Sequence, residues 1–198
     1  TANFIENKFD VRKLMRVICN SRTYQLSIVA NKWNSDDKVN FSHALPRRLS
    51  AEQLLDAISV ATGMRPKVGP MPAGMRSVEA PDGVVAGNEF LTLFGRPKRQ
   101  SACECERTSN VTLSHAMNLI NGSTISDAVQ SGDNQVKKLV EKEPDDKKVI
   151  EEIYLSVLNR RPTEKEYAAI DFKEGTRLEV AQDLTWALLN SPAFLFNR

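Results

Sequence analysis

The chain has 198 residues, 41% of them hydrophobic and 26% charged, enough for one packed domain or two small ones. Its net charge of +2 hides a gradient: seven cations face four anions in residues 1–44, nine face seven in 45–107, and eleven face fourteen in 108–198. No stretch is basic enough to predict a nucleic-acid partner, and no apolar run approaches the ~18 residues that a membrane helix needs.

The chain opens without methionine or a signal-peptide pattern, in Thr1-Ala-Asn-Phe-Ile-Glu-Asn-Lys-Phe9, which reads as the tail of a helix in progress. A fragment of a longer protein is expected, so the missing signal peptide says nothing of compartment. Asp10 is a good N-cap, and Val11, Leu14, Met15 and Ile18 then draw one apolar helical stripe that stops near Cys19-Asn20-Ser21. Cys19, at the end of that stripe, reads as a small core residue rather than a reactive thiol. Trp33, in the polar connector 31–38, is expected to anchor it by packing.

Ser50 and Gln53 have capping-box spacing and announce a helix whose buried face is Leu54, Leu55, Ile58 and Ala61, with Gly63 as its stop. Arg47 and Arg48 stand at its entrance. Paired arginines there suit either an anion or a carboxylate of the same chain, and pairing within the chain needs no ligand. Residues 63–87 hold five of the nine glycines and four of the nine prolines, which predicts an irregular loop, with a short hairpin around 80–83 and a strand at Phe90–Phe94.

Two of the three cysteines then crowd together with cations and carboxylates: Arg96, Arg99, Cys103, Glu104, Cys105, Glu106 and Arg107. Cysteines one residue apart fit poorly with the Cα separation of roughly 4.4–6.8 Å in a disulfide, so a bridge from one of them to Cys19 is geometrically easier. The only histidines, His43 and His115, do not complete a recognisable zinc spacing, and no metal site is expected. The arginines and glutamates form either an ion-pair network or an anion-binding and interaction patch together with Arg47 and Arg48.

From residue 110 onward the pattern is helical. Asn121-Gly122 stops one helix, Ser123 starts another through Val129, and Val136, Leu139 and Val140 mark a third. Val149, Ile150, Ile153, Tyr154 and Val157 make the clearest stripe, over 146–159. Thr163 with Glu166 and Thr176 with Glu179 have capping-box spacing, and Ser191-Pro192 opens a terminal turn. Leu14 to Tyr24 also echoes Leu184 to Phe194: in both, an amphipathic helix ends at Asn-Ser and an aromatic follows that is expected to plug back into the core. The fold expected is mainly α, a multi-helix array with a region 1–132 containing the irregular insert 63–95, and a C-terminal helical subdomain 133–198 packed on it.

Several segments resemble the uncharacterised family DUF1553: Cys19-Asn-Ser-Arg-Thr-Tyr-Gln-Leu-Ser27, Pro46-Arg-Arg-Leu-Ser-Ala-Glu-Gln-Leu-Leu-Asp-Ala-Ile58, Phe94-Gly-Arg-Pro97, Cys103-Glu-Cys-Glu-Arg107, Tyr154-Leu-Ser-Val-Leu-Asn-Arg-Arg-Pro-Thr163 and Asp183 to Asn197. The layout from Tyr154 to Phe194 is also similar to the helical DUF4214 modules. The DUF1553 resemblance implies the C-terminal part of a large exported bacterial protein, at home in planctomycetes, whose upstream regions can include a DUF1549 domain and a c-type cytochrome domain. Those upstream domains of the same polypeptide are then the expected partners, and the compartment implied is the periplasm or cell surface. No Cys-x-x-Cys-His sequence occurs here, so no cofactor is expected in this chain and any haem would lie upstream. Where relatives end in Asn-His, this chain ends Asn197-Arg198, against a terminal histidine ligand.

Two function classes follow. One is an interaction or scaffold module, favoured because no catalytic constellation is visible. The other is part of an extracytoplasmic enzyme acting on an anionic or polysaccharide substrate through the Arg/Glu/Cys patch. Glu104 and Glu106, two residues apart, do not by themselves place carboxyls ~5 Å apart across a cleft, as a retaining glycosidase requires.

Overall fold

The structure is a computed structural model, and it describes residues 1–64, 72, 74–80, 88–96, 112–172 and 175–197. The chain is mainly α, as its periodicity predicts. It divides into two compact units: Thr1–Arg47 together with the last residues from Phe196, and Arg48–Leu195.

In the first unit, α1 (Ala2–Glu6) and α2 (Val11–Cys19) are joined by Lys8 and Phe9, both at positive φ. Asp10 caps α2 as expected, accepting from the Lys13 N–H at 3.0 Å. The rest of the unit is ordered by short-range polar bonds. Asp37 accepts from the N–H groups of Val39, Asn40 and Ser42 and from the Ser42 hydroxyl, which together hold its carboxyl far below the usual carboxylate range. Asn34 ties the turn at Asn31 to the carbonyl of Ser42.

The second unit is built on two long helices, α3 (Ala51–Thr62) and α10 (Arg177–Leu189). The Ser50–Gln53 capping box is present, with its two reciprocal bonds at 3.2 and 3.3 Å. Gly63 ends α3 at φ +72°, where a side chain would be strained and would run into Gln135. Residues Phe90–Phe94, expected as a strand, instead fall in the short helix α4 (Glu89–Leu93) and its C-cap Phe94, because Asn88 caps the helix by accepting from the Leu91 N–H at 3.0 Å. Capping chemistry prevails there over the β-leaning aromatic composition. The 3-10 turn Ser77–Glu79 is pinned to α3 by Asp56, which accepts from the N–H groups of Ser77 and Val78. The hairpin expected at 80–83 lies largely outside the described residues.

Downstream come α5 (Leu113–Asn121), α6 (Ser123–Gln130), α7 (Gln135–Lys142), α8 (Asp146–Leu158), α9 (Glu164–Ala168) and α11 (Pro192–Leu195). α3 packs on α4, α6, α7 and α8, while α10 packs on α6, α7, α8 and α11, so helices from either side of residue 132 share one core. Leu54, Leu55, Ile58, Phe94, Ile125, Ile153 and Leu189 are among its fully buried side chains. Asn134 is also wholly buried: it caps α7 through Lys137 and donates to the carbonyls of Ala128 and Val129, closing off α6. Among the described residues the sheet is a single antiparallel pair, β1 (Arg47–Arg48) with β2 (Phe196–Asn197).

Candidate functional site

Of the arginines at the entrance to α3, Arg48 lies against Phe94 at the end of α4, and Arg96 follows Phe94 by two residues. Phe94 is buried and stacks on Phe90 at 4.2 Å between ring centroids. Arg48 lies with its guanidinium 5.5 Å from the Phe94 ring centroid and donates to the Phe94 carbonyl at 3.1 Å. Burial pulls the Arg48 guanidinium below its usual pKa. Arg96 donates to the Ala80 carbonyl at 3.4 Å and stands 3.7 Å from the carboxylate of Glu52, both side chains at most 10% exposed.

His115 completes the cluster from α5, buried and 4.9 Å from the Phe94 ring. Its Nδ1 accepts from the Thr112 N–H at 2.8 Å, so the ring proton is on Nε2, which donates to the Leu93 carbonyl at 2.7 Å. The last carbonyls of α4 are therefore taken by Arg48 and His115, the groups that a helix C-terminus favours. This arrangement fixes the point from which the chain enters residues 97–111. It clamps a helix end, and among the described residues it holds no nucleophile paired with a base.

The remaining members of the expected patch, Arg99, Cys103, Glu104, Cys105, Glu106 and Arg107, lie outside the described residues. Arg47 is exposed and apart in character from Arg48, despite adjoining it. Cys19 is a free, exposed thiol at the end of α2, which corrects its reading as a core residue. Glu52 is the residue the sequence did not reveal, since a carboxylate in the first turn of a helix normally just complements the dipole. Among the described residues no group of three or more His, Cys, Asp or Glu side chains could hold a metal, and no helix is long and apolar enough to cross a membrane.

A second feature is a surface. None of the residues of α1 and α2 is buried, and His43 is the one buried residue between Thr1 and Arg47. Val11, Met15 and Ile18, expected to face a core, are 53%, 59% and 48% exposed, and Trp33, expected as an anchor, is 81% exposed. Tyr24 is exposed too. Residues 1–47 thus show eleven exposed large hydrophobic side chains, against five among the described residues of the second unit. Single exposed apolar side chains are ordinary on a protein surface, and it is their number within one short stretch that sets residues 1–47 apart.

No curated protein and no solved structure shows a significant match to the chain. A family model matches residues 1–172, which contain both the apolar surface and the cluster around Phe94. The chain accordingly belongs to the PSD1 family, proteins of unknown function (DUF1553).

Proposed function

We propose that the chain is an interaction module: the helical body 48–195 carries, in residues 1–47, an apolar face that docks on another domain of the same polypeptide. The observation behind this reading is the exposure of the α2 stripe and of Trp33. Each such side chain contributes about 1.5–3 kcal/mol when it is fully removed from water, so covering a few of them suffices for a stable domain contact. The family resemblance suggests the setting, an exported protein whose neighbouring domains include the cytochrome-linked type. In support of a non-enzymatic role, Arg48 and Arg96 hold carbonyls and a carboxylate of their own chain.

Hydrogen exchange tests this. In a polypeptide that carries the neighbouring domains, the amides of residues 11–19 are expected to exchange more slowly than in the 198-residue chain alone. Equal exchange in the two would sink the docking role.

A further inference from the structure

We draw no further inference here: the strongest candidate, the open cavity of about 780 Å³ between α6, α10 and residues 169–171 that Asp171, Glu179 and Asp183 line beside Trp186, is a cluster of carboxylates, and nothing among the described residues shows what ligand it would hold.

Discussion

Asn20 and Asn190 end their helices in almost the same backbone conformation, φ −88°, ψ 0° and φ −88°, ψ −2°. Each is followed by a serine that bonds locally: the Ser21 hydroxyl accepts from the Tyr24 N–H at 3.2 Å, and the Ser191 hydroxyl donates to the Leu188 carbonyl at 2.7 Å. Yet Tyr24 is 60% exposed and Phe194 only 8%. The corner is made by local chemistry, and the burial of its aromatic by what lies across from it. Phe194 belongs to α11, which packs on α8 and α10, whereas nothing among the described residues of the first unit receives Tyr24.

The largest effect that could break this comparison is a pair of truncations. Phe194→Ala is expected to destabilise the chain by about 3–5 kcal/mol, read from the urea midpoint, as emptying an aromatic core site does. Tyr24→Ala is expected to stay within about 0.5 kcal/mol of the parent, like other surface changes. Equal losses would mean that Tyr24 is buried in solution and that the two corners do not differ.

Arg177→Ala comes next, at about 2 kcal/mol, the range for bonds from a charged group. This one side chain bonds Asp146 at 2.5 Å and the carbonyls of Val140 and Glu143 at 2.8 and 2.6 Å, so it fastens the start of α10 to the junction of α7 and α8. An unchanged melting curve would show that water replaces those bonds without loss. The first unit has no counterpart to such a latch among its described residues.

Helix caps sharpen the contrast at about 1 kcal/mol each. Thr163→Ala removes the acceptor for the Glu166 N–H in a helix that belongs to the packed unit, and its cost should appear in global unfolding. Asp10→Ala removes the equivalent bond from α2, which buries nothing. Its cost should appear as faster amide exchange within residues 11–19 and leave the global midpoint in place.

The smallest effect is one of pH. The bidentate Arg160 guanidinium and the Thr163 N–H and hydroxyl draw the Glu166 carboxyl down from 4.5 to about 2. The stabilisation this gives is complete above the ordinary carboxylate value and disappears as the pH falls through about 2. With the Glu166 side chain 31% exposed, screening limits it to below about 1 kcal/mol. Glu166→Gln should therefore flatten a small part of the acid limb of the stability curve, and an unaltered limb would place the carboxylate in water.

Most helix boundaries were legible in the sequence, because a cap joins residues only three positions apart. Asp10, Ser50, Thr163 and Thr176 each accept from the N–H three residues on, and Gly63 and Asn121-Gly122 stop their helices where the sequence places the stops. A stripe of spacing 3.6 likewise stated which side of each helix is apolar. For α3, α8 and α10 that side met another helix.

What only the tertiary structure decided is whether an apolar side is covered and which distant group a charge meets. α2 carries as clear a stripe as α3, but periodicity holds no information about the surface opposite, and so Met15 and Trp33 were expected inside and stand in solvent. Arg48 reaches Phe94 across 46 positions and His115 reaches Leu93 across 22, separations at which sequence spacing carries no geometric constraint. Short-range hydrogen bonding is written in neighbouring residues, whereas burial and long-range pairing depend on free energy gained only when separate parts of the chain exclude water from one another.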